Sequence, residues 1–399
     1  MRKRVLRAFV LPLLLLILAL LANGCRGLQA GGDTGGGGNG GGGGNLGTTQ
    51  SKVKRVVVVV MQNRSFDHLF GKYTPTGGQT IDGIRPGVPG YTQSDGSTPF
   101  ELTDPTLSDL PHGRQDYLDA WNHGAMDRFA VVEGHNSMGY YTDATAGVGA
   151  LWNLADNYAL NDNYFSSVMS NAPSNQLYLV AASDNDFPFS VQPAFGPCNL
   201  PDPASQPYNY RNLGDQLRDA NISWGWFQAN YGDCGNGYVP VQNPFQYFTS
   251  THDAPQLQNI SNFFSQLNSG NLPAISFVQA NDRNSGHPGS GPIGDSLNWL
   301  NDFVSQVKAS PAWDSIAIVV IWDEGGGYWD HVPPPQVDSQ GLGIRVPLLV
   351  ISPFAKAGYV SHVRMNHVSV LKFIQWNWSL PSLNARNSQG NDIRDMFQF

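Results

Sequence analysis

Three runs of apolar residues are the clearest structural signals in the chain. Val53 to Met61, Ser315 to Trp322 and Val346 to Ile351 are nearly continuous and rich in β-branched residues, a pattern typical of strands buried on both faces of a parallel sheet. Helix-like segments at Ser296 to Val307 and Val368 to Trp378 alternate with them. We therefore predict an α/β fold, a three-layer α/β/α sandwich with a mostly parallel central sheet.

The N-terminus has the pattern of an export signal. Four basic residues within the first seven precede an apolar run from Ala8 to Ala22, which is too short for a comfortable transmembrane span. We interpret residues 1–24 as a signal peptide. Cys25 follows small residues, as in a bacterial lipoprotein cleavage site, although Asn23 departs from that pattern. The protein is expected to be periplasmic, a cell-surface lipoprotein tethered to the membrane through lipidated Cys25, or secreted.

Residues 25–50 are predicted to be a linker, because 11 of the 15 residues from Gly31 to Asn45 are glycine. The folded domain is placed at residues 51–399. Within it, residues from about 184 to 264 lack clear sheet periodicity and are interpreted as a loop-rich cap insertion. The formal net charge of -8 argues against nucleic acid as a partner.

The exported part of the chain contains Cys198 and Cys234 in polar contexts rich in proline, glycine and asparagine. An oxidising compartment favours a disulfide between them. Two unpaired thiols are the alternative. Neither cysteine has the spacing of a redox motif or of a thiolate metal site.

Candidate chemistry follows two of the predicted strands. Asp323 and Glu324 come directly after one strand, and Asp330 and His331 follow a run of three glycines. These oxygen and imidazole groups suit a divalent cation; a solvated acidic turn is the alternative. Because ligand sites in such sheets form beyond the carboxyl ends of the strands, this cluster is expected to meet the polar residues after the first strand.

That second polar cluster runs from Gln62 to His68. Carboxamides can coordinate a metal, and Arg64 can bind an anion. The alternative is a helix start in which Asn63 or Ser65 caps the helix and Asp67 lies in the first turn. Both interpretations can hold together.

Several segments resemble, in order, those of the bacterial phosphoesterase family of phospholipases C and acid phosphatases. The resemblance covers essentially all of residues 53–399. It implies an alkaline-phosphatase-like fold and a metal-dependent phosphoester hydrolase. The segments are MQNRSFDHLFG, PHGRQDYLDAWNHGAMDRF, MGYYTD, SNAPSNQLYLVAAS, HPG, DEGGGYWDHVPPP, RVPLLVISPFAKAG and NHVSVLKFI.

The resemblance assigns the metal-binding positions to Gln62, Asn63, Asp323 and Glu324, with His112 as the family's early histidine. The family usually has glutamate where this chain has Gln62. A neutral amide supplies an oxygen without charge, so metal binding is expected to be weaker or altered. Mixed oxygen and nitrogen ligands suit Ca, Zn, Mn or Fe.

The nucleophile position departs further from the family. The family places a threonine or serine three residues before Asn175, where this chain has Ala172. Ser170 and Ser174 are nearby hydroxyls that could replace it, or a water molecule at the metal could attack phosphorus. Loop hydrogen bonding and helix capping are the alternative roles of both serines.

Four histidines are candidates for the site. We expect His331 to contact metal or phosphate, and His112 and His287 lie in loops that contain proline and glycine. His112, His287 or Arg64 would stabilise charge in the transition state. His367 precedes an apolar helix and is a candidate site residue or a helix cap.

Together these features predict an exported, metal-dependent hydrolase of phosphate esters, acting on a phospholipid or a small soluble phosphoester. The competing hypothesis is a surface protein that keeps the fold and the metal but has lost turnover, as Gln62 and Ala172 suggest. A sulfate or phosphonate ester hydrolase on the same fold is a third hypothesis.

Overall fold

Two of the predicted strands lie side by side at the centre of an eight-stranded sheet. β1 (Arg55–Met61) and β9 (Ile316–Trp322) are parallel, with Met61 opposite Trp322 at their carboxyl ends. Every residue of β9 is buried, as is every residue of β1 after Arg55. Burial on both faces requires a layer of structure on each side of the sheet. The predicted α/β class and mostly parallel sheet are confirmed.

The computed structural model describes residues 44–85, 90–186, 192–198 and 205–399. The order in the large sheet is β11-β4-β10-β9-β1-β8-β6-β7, and β2 pairs with β3 and β5 with β12 outside it. The remaining strands are β2 (Phe100–Glu101), β3 (Gly139–Tyr140), β4 (Ala159–Asn161), β5 (Tyr164–Phe165), β6 (Trp224–Gln228), β7 (Leu257–Asn259), β8 (Ile275–Gln279), β10 (Leu348–Ile351), β11 (Tyr359–Ser361) and β12 (Met365–Asn366).

The third predicted strand, β10, differs from the others in direction. It is antiparallel to both of its neighbours, β9 and β4, whereas all other neighbouring pairs of the large sheet are parallel. Its four residues are all buried. A continuous apolar run therefore identified a buried strand but not its direction.

Helices cover the sheet. Helix α10 packs against α5, and α4 packs against α9. The helices are α1 (Phe66–Phe70), α2 (Arg114–Trp121), α3 (Phe129–Val132), α4 (Val148–Asn157), α5 (Ala172–Ala181), α6 (Leu213–Asp219), α7 (Ile260–Asn268), α8 (Asp282–Ser285), α9 (Ile293–Lys308), α10 (His367–Asn377) and α11 (Ala385–Gln389).

The expected cap insertion at residues 184–264 is wrong over much of its length. β6 and β7 of this region are strands of the large sheet, and α6 and most of α7 lie there as well. β6 has the sequence WGWFQ, and all five of its residues are buried. Because both faces are buried, the segment has no polar alternation, and aromatic residues replace the β-branched residues that mark β1. The described parts of residues 184–209 and 229–256 remain outside the sheet.

The predicted linker also ends earlier than expected. Ser223 donates its backbone N–H to the carbonyl of Asn45, and Trp378 Nε1 donates to the carbonyl of Leu46 at 2.7 Å. Residues 44–50 thus pack on the folded domain instead of separating it from an anchor. The predicted signal peptide, Cys25 and the linker up to residue 43 lie outside the described residues.

A disulfide joins Cys198 to Cys234, with their Cα atoms 5.3 Å apart. The predicted pairing is thus present in the structure. In the part of the chain that the structure describes, no helix combines the length and apolar character needed to cross a bilayer.

Candidate active site

The parallel pairing of β1 with β9 brings two polar segments together at the carboxyl ends of the strands. The backbone N–H of Asn63 donates to Oδ1 of Asp323 at 3.3 Å, and the backbone N–H of Glu324 donates to the same oxygen at 2.9 Å. Arg64 N donates to the carbonyl of Glu324 at 3.1 Å. The predicted convergence of Asn63 with the Asp323–Glu324 pair is therefore present.

Two oxygens in this cluster are buried without a hydrogen-bond donor. They are Oδ1 of Asn63 and Oε1 of Glu324. The other carboxylate oxygens are held: Oε2 of Glu324 accepts from Tyr117 Oη and from Gly326 N, and Oδ2 of Asp323 accepts from Gln176 Nε2. A buried oxygen without a hydrogen-bond partner reduces the stability of the fold. These two oxygens are therefore suited to binding a cation.

The electrostatics favour a cation at the same place. Burial and the charge of Glu324 raise the pKa of Asp323 to about 8. Among the described residues, no lysine or arginine forms a salt bridge with either carboxylate. Two adjacent buried carboxylates without a lysine or arginine partner disfavour each other's ionisation, and a divalent cation would remove that repulsion. The residues present therefore fit a metal ion.

His112 lies against this cluster. Its Nδ1 is within hydrogen-bonding distance of the carbonyl of Leu110, which can only accept, so Nδ1 carries a proton. Its Nε2 lies 3.3 Å from Asn63 Nδ2 and 3.5 Å from Glu324 Oε1. Burial lowers the pKa of His112, but the charges of Glu324 and Asp109 outweigh burial and the net shift is upward.

Gln62 is held by the segment that precedes His287. Ser285 Oγ lies 2.9 Å from Gln62 Oε1 and 2.8 Å from the carbonyl of Asp282. One hydroxyl can donate only once, and Gln62 Nε2 is buried without a partner. If Ser285 donates to Asp282, a half-turn of the amide lets Nε2 donate to Ser285 and leaves Oε1 without a donor.

A cavity of about 350 Å³ opens above these strand ends. It includes four of the predicted site residues, namely Gln62, Asn63, His112 and His287. The rest of the lining is Asn171, Ala172, Pro173, Gln192, Val239, Val241, Gln242, Asp282 and Ser290.

Ala172, which has no hydroxyl group, lines the cavity at the start of helix α5. Ser170 and Ser174 do not line this cavity. Their hydroxyls lie 3.3 Å apart, and Ser174 also hydrogen bonds to Asp184. Ser170 lines a separate cavity together with Asp184. The alternative of loop and helix hydrogen bonding is therefore what the structure shows for both serines.

Arg64 does not line the cavity either. Its side chain is buried, with Nη1 donating to the carbonyl of Asn63 at 3.1 Å and the guanidinium 5.0 Å from the centre of the Tyr328 ring. The proposed anion-binding role is not supported by this placement. Arg64 instead fixes the backbone of the neighbouring Asn63.

His367 contributes by holding Asp323. Its Nε2 donates to the carbonyl of Asp323 at 2.7 Å, and Nδ1 accepts from Tyr164 Oη at 2.6 Å. Burial lowers its pKa to about 4, so the ring is neutral. The cap of helix α10 is Asn366, so the alternative role of His367 as the helix cap is wrong.

Asp330 and His331 belong to a buried ion network away from the cavity lining. The Arg345 guanidinium contacts Asp330 Oδ1 at 3.0 Å and Asp67 Oδ1 at 3.1 Å. His331 Nδ1 lies 2.6 Å from Asp67 Oδ2, and Nε2 lies 3.2 Å from Asp82 Oδ1. His331 thus lies outside the cavity lining, and its ring is paired with two carboxylates.

The same network has the composition of a metal site, since donor atoms of Asp67, Asp330 and His331 lie within 4.8 Å of one another. Arg345 already supplies a cation to both aspartates. Although burial lowers the pKa of His331, hydrogen bonds to Asp67 and Asp82 raise it to about 10. We describe this cluster by the ion pairs that it forms in the structure.

Several residues that support the site were not predicted from the sequence. Tyr117 and Gln176 hold the carboxylates, Ser285 holds Gln62, and Arg345 holds the Asp330 loop. Tyr117, Gln176 and Arg345 lie inside segments that carried the family resemblance, and Ser285 is two residues before His287. Their roles depend on which strand ends meet, so the local order of residue types in the sequence does not indicate them.

Comparison with known proteins gives a family match over most of the chain. The phosphoesterase family matches residues 53–381. Phospholipase C B of Mycobacterium tuberculosis is 27% identical over 87% of this chain and 78% of its own length. Non-hemolytic phospholipase C of Pseudomonas aeruginosa is 26% identical over 87% of this chain, which spans only 57% of that relative.

Solved structures show a more distant likeness. A crystal structure of a protein in the alkaline phosphatase superfamily from Vibrio parahaemolyticus aligns with 88% of this chain and 71% of its own. The TM-score is 0.44 and the sequence identity is 12%.

Proposed function

We propose that this chain is an exported, metal-dependent enzyme of the phospholipase C or acid phosphatase type. The premise is that the chain belongs to the phosphoesterase family and is a hydrolase of phosphate ester bonds. The observation that carries the metal dependence is the pair of buried oxygens without donors, Asn63 Oδ1 and Glu324 Oε1. Asn63 lines the cavity and hydrogen bonds to Asp323, whereas Asp323 and Glu324 are not among the lining residues.

The residues that would hold a divalent ion are Asn63, Asp323 and Glu324, with Gln62 as a neutral oxygen donor. When bound, such an ion would act as a Lewis acid toward a phosphoryl oxygen. Tyr117 and Gln176 would keep the carboxylates in place, as they do in the structure. His367 would hold the backbone of Asp323.

Charge on the phosphate can be met by two further features of the cavity. His112 lines the wall, and its ring, when protonated, can stabilise developing negative charge. Helix α5 begins at Ala172 in the same wall. The N-terminal end of a ten-residue helix favours an anion.

A phosphoester of a lipid or of a small alcohol is the substrate class that we propose. Two relatives carry the name phospholipase C, which favours a phospholipid. Export is supported by the N-terminal basic and apolar pattern and by the disulfide, because disulfides persist in oxidising compartments.

The test measures hydrolysis of p-nitrophenyl phosphate and p-nitrophenylphosphorylcholine after metal removal by a chelator and addition of Ca, Mn, Zn or Fe(II) singly. We expect turnover to depend on one of these ions. Preference for the phosphorylcholine ester would indicate phospholipase C, and preference for the monoester would indicate a phosphatase.

The matched control is the isosteric double variant Asp323→Asn/Glu324→Gln. It should lose both turnover and the rise in melting temperature that the metal gives the wild-type protein. A wild-type protein that is stabilised by metal but hydrolyses neither substrate would support the non-catalytic metal-binding hypothesis. A protein that hydrolyses substrate equally well in chelator would refute metal dependence.

A further inference from the structure

The cavity wall lacks a hydroxyl at the start of helix α5. Ala172 is the first residue of the helix and lines the cavity with a methyl group. Ser174, one helical position beyond Pro173, is buried and bonded to Asp184, and Ser170 is bonded to Ser174. Bringing either serine to the cavity would require breaking these hydrogen bonds and moving the first turn of the helix.

Ser290 supplies the only hydroxyl among the described residues that line the cavity. It lies in the turn closed by its own backbone N–H donating to the carbonyl of His287 at 3.3 Å. A serine nucleophile needs a base within hydrogen-bonding distance. No histidine or carboxylate of the described residues makes a hydrogen bond with Ser290 Oγ, so it is not activated as a nucleophile.

His287 is oriented as a proton acceptor on the same wall. Its Nδ1 lies 2.7 Å from the carbonyl of Pro288. A carbonyl only accepts, so Nδ1 carries the proton and the neutral ring has its lone pair on Nε2. No hydrogen bond to Nε2 is made within the described residues. The carboxylate of Asp282 also lines the cavity and can stabilise the imidazolium that forms.

We propose that this enzyme hydrolyses its substrate by a single displacement, in which water attacks phosphorus directly and His287 Nε2 accepts the proton of that water. The inference rests on the proposed phosphoester hydrolysis. The bond between the water oxygen and phosphorus forms as the bond from phosphorus to the leaving alcohol oxygen breaks. His287 then releases its proton to solvent, and the leaving oxygen takes up one, so one water is consumed for each ester cleaved.

A single displacement differs from a pathway in which a side-chain hydroxyl is first phosphorylated and water then removes the phosphoryl group. One displacement inverts the configuration at phosphorus, whereas two displacements retain it. A covalent phosphoryl-enzyme is formed only in the second case. Both differences can be measured on the full-length protein.

The first experiment follows the stereochemistry. A p-nitrophenyl phosphorothioate diester of one configuration at phosphorus is hydrolysed in H₂¹⁸O by the metal-loaded protein, and the product configuration is determined. We expect inversion. Retention would overturn the inference while leaving phosphoester hydrolysis established, and absence of turnover with every ester would overturn both.

Acid quenching followed by mass spectrometry tests independently for a covalent phosphoryl-enzyme. Wild-type protein quenched during turnover should carry no phosphoryl group. Ala172→Ser, which restores a hydroxyl at the start of α5, should accumulate one at that position and serves as the positive control. A phosphoryl group on Ser290, Ser170 or Ser174 of the wild-type protein would overturn the inference.

The role of His287 is tested by His287→Ala. Loss of a general base should lower kcat by about 10²-fold or more, and added imidazole should restore part of it. The matched control is His135→Ala at an exposed histidine outside the cavity lining, which should show neither effect. A folded His287→Ala protein with undiminished kcat, or one whose lost kcat imidazole fails to restore, would overturn the assignment of the base.

Discussion

Gly326 lies against Asn63 at a distance that only glycine permits. A Cβ atom at position 326 would be 2.5 Å from the carbonyl oxygen of Asn63 and 2.6 Å from its Cβ. Both residues have positive φ angles, 63° for Gly326 and 59° for Asn63. The glycine run after Glu324 therefore lets the loop cross the end of β1 and keeps Asn63 beside the carboxylates.

We predict that Gly326→Ala displaces Asn63 and disrupts the site. The positive φ angle alone should cost about 1–2 kcal/mol, and the clash adds to it. Gly270→Ala is the matched control, because Gly270 also has a positive φ but no atom within 4 Å of the place that an added Cβ would take. Urea unfolding should show the smaller loss for Gly270→Ala, and only Gly326→Ala should weaken metal binding.

Equal metal affinity in the two glycine variants would contradict this account of Gly326. Such a result would mean that the loop shifts without moving Asn63.

Gln62→Glu should tighten binding of a divalent metal. The change adds a carboxylate beside Asp323 and Glu324, and affinity rises with the number of charged ligands. We expect at least a tenfold gain, ~1.4 kcal/mol, measured by calorimetric titration of chelator-treated protein. Ser285→Ala in the wild-type background should weaken binding, because it releases the Gln62 side chain. Unchanged affinity in Gln62→Glu would show that position 62 is not a ligand.

Removing Arg345 should be strongly destabilising. Its guanidinium is buried and pairs with Asp330 and Asp67. Arg345→Met therefore leaves the buried Asp330 carboxylate without its ion-pair partner, and Asp67 paired with His331 alone. The expected cost is about 3–5 kcal/mol, measured by urea unfolding.

The control for this prediction is a double-mutant cycle with Asp330→Asn. Because Asp330→Asn removes the charge that Arg345→Met leaves unpaired, the double variant should be less destabilised than the sum of the two single variants, by roughly 1–3 kcal/mol. Simple additivity would show that the pair does not interact.

His331 should make stability depend on pH. Its folded-state pKa of about 10 lies above the ordinary 6.5. A base whose pKa is raised by folding contributes stability that is present in full below pH 6.5 and is lost as the pH rises through about 10. Asp67, Asp82, Asp330 and Arg345 are the charged groups that surround it.

The corresponding measurement compares wild-type protein with His331→Gln by urea unfolding at about pH 6, 8 and 10. The variant should be less stable at the lowest pH, and the difference should shrink toward the highest. A difference that stays constant with pH would show that His331 contributes by packing and not by charge.

The sequence determined the parts of this protein that are encoded locally. Continuous β-branched runs identified β1 and β9, because burial on both faces excludes polar residues from such strands. The residues after each strand predicted the meeting of Asn63 with Asp323, since parallel neighbours end at the same edge of the sheet. The departure from the family at Ala172 was also readable from sequence alone.

The tertiary structure decided what depends on contacts between distant segments. It placed β6 in the sheet although its sequence lacks β-branched residues, and it made β10 antiparallel. It paired His331 with Asp67 and Asp82 outside the cavity lining, and it placed His287 in the cavity wall. The partners of a side chain depend on which strand ends and loops fold against it. Hydrogen bonds and ion pairs between residues far apart in the sequence produce no periodic pattern of apolar and polar residues.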